Sequence, residues 1–401
     1  MRCITSVSFS VLFNGQWLQE FKPTRGIRQG DPISPYLFLL CAEGLSCVLK
    51  GEGANQYVNG IQISCTYPKI NHLLFADDCL LFFKADANNA QVIKECLTKY
   101  CEASGQKVNL EKSSIFFSKR CKQTIRDNIK SITQVENESL NEKYLGLPNE
   151  VGRSTNGAFK YLKDKVWNKI QGWIEQILSA GGKEVLIKSV AQVIPVYTMG
   201  CFRLPRGLCQ HLNLLIRKFW WGSEEGKRKS CWVGWDKITQ PKYMGGLGFR
   251  DIETFNLALL ARQAWRILIR SKSLCSQILK LDYFPSGDLP NAPIGSNPSK
   301  TWRAICEGIE VLNQGLIKRI GDGRSTRIWE CNWIPRTGIF RLLYSKKPNP
   351  PTLVSELIDH TTMTWKIEKV QNCFNHIDSE AILQIPLSMS SQEDCWAWHH
   401  E

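Results

Sequence analysis

The sequence predicts an α+β protein, and two kinds of pattern support this class. Short apolar runs joined by tight-turn dipeptides indicate antiparallel strands, and longer segments with apolar residues three and four apart indicate helices. A chain of 401 residues further predicts two or three domains. We expect an α+β domain in residues 1–150, a mostly helical block in residues 151–280, and a linker with a mixed, tryptophan-rich region in residues 281–401.

Charge and tryptophan are unevenly distributed along the chain. The formal net charge is +14, and residues 151–280 hold 22 Lys or Arg against 8 Asp or Glu, so this block carries the whole surplus. Trp17 stands alone before residue 150, and the other 13 of the 14 tryptophans follow. The change in composition predicts a domain boundary near Gly152, and the basic block favours a polyanionic partner.

The first 50 residues contain a strand signal and a helix signal. Residues 6–13 alternate as an edge strand does and end at the tight-turn pair Asn14-Gly15. Ser34-Pro35 predicts an N-cap followed by proline at the first helical position. The apolar residues after it fall on one helical face: Leu37, Leu40, Cys41, Gly44, Leu45, Val48 and Leu49.

The stretch NHLLFADDCLLFFK, residues 71–84, predicts a hairpin of two buried strands, 72–76 and 79–83, linked by Asp77 and Asp78. Two carboxylates at a hairpin tip are placed to share a divalent cation. A polar turn between core strands is the alternative, and the pair by itself does not decide between them. After the hairpin we expect a helix over residues 90–103 that stops at Ser104-Gly105, and a strand over residues 114–118.

A basic loop with glycines, Arg25 to Gly30, precedes the first predicted helix. Arg28, Gln29 and Gly30 lie where the unpaired N–H groups and the dipole of a helix start favour phosphate. An ordinary junction between a loop and a helix is the alternative.

The basic block reads as helices over residues 159–177, 183–193, 208–220 and 255–269, with a break at Ala180-Gly181-Gly182. Its cations either form a phosphate-facing surface or are simply solvated, and the net charge favours the former. Trp220, Trp221, Trp232 and Trp235 either stack on bases or, as we favour, lie in a core. The cations in question are Lys160, Lys163, Lys165, Lys169, Arg203, Arg206, Arg217, Lys218, Lys227, Arg228 and Lys229.

The C-terminal region begins with a stretch rich in proline and glycine, residues 283–300, which predicts a linker or a surface loop. A short helix is expected over residues 302–314, and strands around a hairpin at Gly321-Asp322-Gly323 over residues 320–335.

An ordered series of motifs resembles the reverse transcriptases of plant non-LTR (LINE-type) retrotransposons. The series contains RQGDPISP, FADD, SGQKVNLEKSSIFFS, KYLGLP, FWWG, PKYMGGLGFRDIETFNLALLARQAWRIL and IGDGRSTRIWECNWIP, so it covers essentially the whole chain. FADD alone is weak evidence, whereas the order and spacing of the series are specific.

The resemblance implies a polymerase shaped like a right hand, with a palm in residues 1–150 and a basic thumb after it. Two Mg²⁺ ions about 4 Å apart would serve nucleotidyl transfer, with an RNA template, a DNA primer and a deoxynucleoside triphosphate as partners. It implies that Asp77 contacts both metals, that Asp78 supports it, and that Phe75 and Ala76 position the tip. Arg28, Gln29 and Gly30 match the family's loop that lies against the template and the incoming nucleotide. Lys112 matches a lysine of the family that lies near the nucleotide phosphates.

The chain departs from the family pattern before Arg28. Residues 1–27 contain no aspartate, and Glu20 is their one carboxylate, whereas the family carries its first catalytic aspartate upstream of the RQGDP loop. We therefore expect a remnant truncated at both ends and inactive as a polymerase. In relatives, the tail leads into a zinc-binding-like region and often a ribonuclease H domain.

Two other interpretations remain beside an inactive polymerase segment. One is a nucleic-acid-binding module that uses the thumb surface without chemistry, and the other is an unrelated helical interaction protein. Sixteen cysteines, no leader peptide and no apolar run long enough for a bilayer predict an intracellular, reducing location without membrane contact. The family resemblance implies the nucleus.

Overall fold

The computed structural model divides into two compact units, Met1–Glu150 and Val151–Glu401. The residues that it describes are 6–24, 26–54, 58, 60–62, 64–138, 144–148, 155–174, 178–222, 232–336, 338–343, 350–388 and 392–400. Helices and small two-stranded antiparallel sheets make up both units, as an α+β class requires. Within this described part, no helix is long and apolar enough to cross a membrane.

The first unit combines two hairpins with three helices. Its elements are β1 (Leu12–Phe13), β2 (Gln16–Trp17), α1 (Ser34–Ala54), β3 (His72–Phe75), β4 (Asp78–Leu81), α2 (Ala87–Ser104) and α3 (Gln123–Thr133). The β1–β2 hairpin turns at Asn14 (φ 47°) and Gly15 (φ 82°), which confirms the tight turn predicted there. The strands are short, and a single bridge between Phe9 and Phe21 extends the pairing.

Helix α1 is confirmed, but its predicted start and its apolar face need correction. Ser34 is the first helical residue, and its hydroxyl donates to the Arg28 carbonyl (2.7 Å) instead of capping the helix. Leu45 and Leu49 are buried, whereas Leu40 is 71% exposed. Only the second half of the predicted face is therefore covered within this unit.

The β3–β4 hairpin is confirmed with a shifted turn. Ala76 and Asp77 form the link, and Asp78 belongs to β4, where it pairs with Phe75. The two strands are not buried as predicted, because Phe75 is 56% exposed and Leu73 38% exposed.

Helix α2 has clear signals at both ends. The Asp86 carboxylate accepts from the Asn89 amide at the N-cap, and Gly105 ends the helix with a φ of 71°, as predicted. Residues 114–118 do not form the predicted strand. Instead Ile115 makes one backbone bond to Asn137 (2.8 Å), and Phe117 is buried against α2 and α3. Helix α3 has no counterpart among the predicted elements.

The second unit is mostly helical up to residue 313 and mixed after it. Its elements are α4 (Thr155–Ala158), α5 (Lys160–Ile174), α6 (Ala180–Leu186), α7 (Val196–Met199), α8 (Arg206–Trp221), α9 (Trp235–Thr239), α10 (Ile252–Ile269), α11 (Leu274–Tyr283), α12 (Lys300–Asn313), β5 (Leu316–Arg319), β6 (Ile358–Asp359), β7 (Thr364–Trp365), α13 (Ile367–Cys373), α14 (His376–Leu383) and β8 (Cys395–Trp398). The π-helical segment Ile187–Ala191 continues α6.

Helices α5, α6, α8 and α10 enclose the first core of this unit. Leu162, Val166 and Ile170 lie four residues apart on α5 and are each 1% exposed, so they form its buried face. The predicted break at residues 180–182 is wrong. Ser179 caps α6 by accepting from the Gly182 amide (3.2 Å), so these small residues form the first helical turn.

Of the two alternatives for the stretch 283–300, a linker or a surface loop, the structure shows the loop. It packs on its own unit, since Leu289 is buried and the Trp302 indole donates to the Pro293 carbonyl (3.2 Å). Around Gly321 the described residues form a loop in place of the predicted hairpin, and β5 pairs with the distant β8.

Helices α10 and α12 approach closely at Gly308. A Cβ atom on this residue would lie 2.6 Å from the backbone nitrogen of Ala261, and the carbonyl carbon of Leu260 would be closer still. Only glycine allows this packing, because the obstacle is a backbone that cannot rotate away.

We expect Gly308→Ala to destabilise the second unit by about 1–3 kcal/mol, because the helices must separate to admit the methyl group. Gly172→Ala on α5 is the matched control, since a Cβ there has nothing within 4 Å. The control should be neutral or gain about 0.5–1 kcal/mol through its helix propensity. Urea unfolding followed by circular dichroism measures both, and equal effects of the two variants would contradict the close-packing account.

Candidate functional site

The Asp77-Asp78 pair lies at an exposed hairpin tip. Asp77 is in the turn, Asp78 is the first residue of β4, and both are exposed. Ala76 has a φ of 48°, a left-handed backbone shape that costs a residue with a Cβ roughly 1–2 kcal/mol. The tip therefore presents two carboxylates to solvent from a constrained turn.

Polar contacts attach the base of this hairpin to α1. The Nε2 atom of His72 lies 3.0 Å from the Ser46 hydroxyl, and its Nδ1 atom lies 2.7 Å from the Asn71 side-chain oxygen. Asn71 in turn donates to the Leu49 carbonyl (3.3 Å). Burial lowers the pKa of His72 below 6.5, and the positive charge of Lys50 lowers the pKa further. The Asn71 oxygen accepts from the Nδ1 side of the ring, and the Ser46 hydroxyl can donate to Nε2 of the neutral imidazole.

Tyr144 of the KYLGLP motif lies within the electrostatic field of Asp78. Burial raises the pKa of the Tyr144 phenol, and the negative charge of Asp78 raises it further. Tyr144 and Leu147 bridge a tight turn through Leu145 (φ 51°) and Gly146 (φ 78°). The distance of 66 residues between Asp78 and Tyr144 explains why the sequence patterns did not indicate this neighbour.

The loop with Arg28, Gln29 and Gly30 lies exposed before α1. Gly30 has a φ of 84° with open space around it, and the Asp31 carboxylate accepts from the Ile33 amide (3.1 Å). Arg28 and Asp31 line a small cleft of about 120 Å³. Phe9, Ile27 of the same loop and Leu37 of α1 are among its apolar lining residues.

Lys112 lies in an exposed turn over residues 110–112. The Asn109 side chain accepts from the Lys112 amide (3.1 Å), and the Ser113 hydroxyl donates to the Asn109 carbonyl (2.7 Å). These bonds fix the turn and leave the ammonium group in solvent.

The donor atoms at the hairpin tip suit a divalent cation in kind but not in number. Carboxylate oxygens are the ligands that Mg²⁺ prefers. Within the described ranges, however, no group of three or more His, Cys, Asp or Glu is placed to hold a metal ion. Asp77 and Asp78 thus offer two carboxylates, and no third candidate ligand stands with them among the residues that the structure describes.

The basic block presents lysines on the outer side of α5. Lys160 and Lys169 are exposed and Lys163 is half-buried, opposite the buried stripe of Leu162, Val166 and Ile170. Asp164 is the one carboxylate among the described residues of this helix.

His211 extends this positive surface onto α8. Burial lowers the pKa of His211, and the positive charges of Lys163 and Lys218 lower it further. The charges of Lys163 on α5 and Lys218 on α8 thus both act on His211. The lysines of α5 together with this part of α8 are here called the α5–α8 basic surface, defined by Lys160, Lys163, Lys169, His211 and Lys218. The sequence alone did not indicate His211.

Arg203 and Arg206, predicted to bind nucleic acid, form ion pairs within the unit. Arg203 Nε lies 2.8 Å from Glu307 and its Nη2 lies 3.3 Å from Glu253. Arg206 is 78% exposed but also pairs with Glu253 (3.5 Å). The guanidinium of Arg203 is thus engaged in connecting α10 and α12, whereas Lys227, Arg228 and Lys229 lie outside the described residues.

Three of the four tryptophans considered for base stacking pack on the core. Trp220, Trp221 and Trp235 lie against the first core cluster of the second unit, as favoured from the sequence. Trp232 is 85% exposed and differs from the other three.

Comparison with known proteins identifies the first unit. The family of reverse transcriptases (RNA-dependent DNA polymerases) matches residues 1–149. An uncharacterized mitochondrial protein of Arabidopsis thaliana is 46% identical over 142 residues, which are 35% of this chain and 92% of that protein. The chain therefore carries a reverse transcriptase domain in residues 1–149 and belongs to a family that it shares with this Arabidopsis protein.

Two further relatives are named for mobile elements. An uncharacterized 149 kDa protein of transposon TX1 from Xenopus laevis is 24% identical over 396 residues, covering 90% of this chain and 27% of that protein. A retrovirus-related Pol polyprotein from the type-2 retrotransposable element R2DM of Drosophila melanogaster is 34% identical over 94 residues, 23% of this chain and 8% of that protein. The chain thus spans only a part of these two relatives.

We expect Lys50→Gln to raise the pKa of His72, because the variant removes a positive charge that disfavours the imidazolium. The folded-state pKa lies below the unfolded value of 6.5, so the anchoring of the hairpin is complete above pH 6.5 and weakens as pH falls below it. Titration of the His72 ring followed by NMR measures the shift. Lys122→Gln, an exposed lysine before α3, is the control, and a His72 pKa that is the same in both variants would contradict the assignment.

Proposed function

We propose that this chain is part of an RNA-directed DNA polymerase of a plant LINE-type, non-LTR retrotransposon. The observation that carries the proposal is the exposed Asp77-Asp78 hairpin tip inside the segment that matches the reverse transcriptase family. The relative from a retrotransposable element supports the class of mobile element. In this proposal, residues 1–150 are a palm, residues 151–280 a thumb, and residues 281–401 a C-terminal extension.

The proposed roles follow the chemistry of each side chain. Asp77 and Asp78 would hold Mg²⁺, which supplies positive charge to the reacting phosphate oxygens when bound. Phe75 and Ala76 fix the constrained turn that presents the pair. Arg28, Gln29 and Gly30 lie in an exposed loop beside a cleft, a place suited to template and deoxynucleotide, and the Lys112 ammonium group is available for a phosphate.

We further propose that the 401 residues alone do not polymerise. Two adjacent carboxylates balance only part of the charge of a metal pair, and no third ligand joins them within the described part of the chain. The tip is therefore a part of a catalytic centre that requires another carboxylate.

The purified chain should show no primer extension on a homopolymer RNA template with Mg²⁺ and the matching deoxynucleotide. Its signal should equal that of Asp77→Asn, because the metal site is incomplete in both. Incorporation of radioactive nucleotide measures the activity. Extension by the unaltered chain that Asp77→Asn abolishes would contradict the inactivity and would support the metal role of Asp77.

A non-catalytic nucleic-acid-binding function is the second candidate, and the α5–α8 basic surface favours it. Lysines on two neighbouring helices face His211, whose pKa is lowered by burial and then by the positive charges of Lys163 and Lys218. A polyanion would relieve the repulsion between these groups, and its phosphates would release counterions on binding. RNA–DNA hybrid is the ligand that the first proposal implies.

Affinity for an RNA–DNA hybrid should fall steeply with salt. Replacing Lys160, Lys163 and Lys169 together by alanine should reduce the slope of log K against log salt by about 0.9 for each phosphate that the variant no longer neutralises. Fluorescence anisotropy between about 50 and about 200 mM salt covers the range in which such slopes are resolved. The single variant Lys160→Ala is compared with a control, Lys366→Ala, which removes an exposed lysine before α13. A slope that the triple variant leaves unchanged would contradict the electrostatic account.

From the retrotransposon resemblance, we propose that the protein acts in the nucleus. The name of the Arabidopsis relative refers to mitochondria, which is a statement about that protein.

A further inference from the structure

The loop 321–326 in the second unit surrounds the side chain of one distant residue, Asp394. Oxygen Oδ1 accepts from the amides of Gly321 (2.8 Å) and Gly323 (2.9 Å). Oxygen Oδ2 accepts from the amide of Ser325 (3.1 Å), from its hydroxyl (3.2 Å) and from the Thr326 hydroxyl (2.7 Å). Five donors thus converge on one carboxylate from 68 to 73 residues away in the chain.

The arrangement selects for an anion. Backbone N–H groups that point into one concavity bind negatively charged oxygens, and an ionised carboxylate accepts only. Burial by itself would raise the pKa of Asp394, but the Gly321 amide, the Thr326 hydroxyl and the other donors outweigh it and hold the pKa below its usual value. An uncharged amide of the same shape would turn an N–H group toward these donors.

The backbone of the loop is built around the returning segment. A Cβ atom on Gly321 would lie 2.8 Å from the Glu393 carbonyl oxygen, and closer still to that of Gln392. Gly323 has a φ of 71°, and a Cβ there would lie 2.6 Å from the Ser355 amide nitrogen. Glycine at position 321 lets the loop approach the segment before Asp394, and glycine at position 323 lets it pack on the backbone of Val354–Ser355.

The carboxylate directly precedes the strand that completes the sheet. Strand β8 pairs with β5 from Leu316–Trp398 to Arg319–Cys395, and the Lys318 ammonium lies 4.7 Å from the Trp396 ring centroid. An isolated pair of four-residue strands is marginally stable in water. A charged anchor at the start of β8 therefore fixes both the register and the approach of the segment.

We propose that the loop 321–326 is a carboxylate-binding site that recognises Asp394 and thereby docks the C-terminal strand β8 on β5. The occupant is this chain's own segment 392–400, bound as an added strand with an acidic anchor. The site is independent of nucleotidyl transfer and of nucleic-acid binding. The IGDGRST motif thus binds another segment of its own chain.

Hydrogen–deuterium exchange measured by mass spectrometry on the full chain tests this assignment. In Asp394→Asn, peptides covering residues 315–326 and 392–400 should exchange about tenfold faster or more, because the hydrogen bonds to a charged acceptor disappear and an N–H group faces the donors. Glu393→Gln is the matched control, since it removes a neighbouring exposed carboxylate that has no place in the loop. Equal exchange in the two variants overturns the proposal.

Rescue by an added anion provides a second, independent measurement. Asp394→Ala leaves the five donors without their acceptor, so sodium formate should restore slow exchange in the same peptides, whereas sodium chloride at equal ionic strength should not. Formate should restore the alanine variant more than the asparagine variant, whose side chain still fills the loop. If Asp394→Ala unfolds, refolding in formate supports the site. An effect of formate no greater than that of chloride overturns it.

Discussion

The candidate site depends on the polar connection between the β3–β4 hairpin and helix α1. A two-stranded hairpin is marginally stable by itself, and this one packs Leu74 and Leu81 against a small buried cluster of Leu45, Leu49, Val58, Ile93 and Cys96. The contacts from His72 to Ser46 and Asn71, and from Asn71 to Leu49, therefore position the strands. Burial and the positive charge of Lys50 lower the pKa of His72, so the imidazole that makes these contacts is neutral near pH 7.

In the second unit, a partly buried cation forms ion pairs, whereas the lysines of α5 remain in contact with water. The guanidinium of Arg203 lies between Glu253 and Glu307, where the planar fork of arginine satisfies two carboxylates at once. The lysines of α5 instead remain on the side away from Leu162, Val166 and Ile170, since their chains carry the charge into water. Net charge in the sequence therefore overstates the charge that is available to a polyanion, because part of it is engaged in ion pairs.

In the loop 321–326, backbone amides bind a carboxylate, and the resemblance to polymerases does not explain this site. The IGDGRST motif combines glycines, which permit close backbone approach, with hydroxyl residues, which add donors, and Asp394 supplies the anion. The same residue types would suit a phosphate, so the composition of the motif does not identify its partner. Only the return of the chain at residues 392–400 shows that the occupied acceptor is internal.

Local patterns in the sequence predicted the long helices α1, α2, α5, α8, α10 and α12, the Asn14-Gly15 turn and the membership of the Asp77-Asp78 pair in a hairpin. Helical spacing and turn residues act over a few positions, so a single stretch contains their whole signal. The tertiary structure decided the turn at Ala76-Asp77, the proximity of Tyr144 to Asp78, the ion pairs of Arg203 and the loop that holds Asp394. These features depend on contacts between residues that are distant in the chain, or on a one-residue shift of register that alternation alone does not fix.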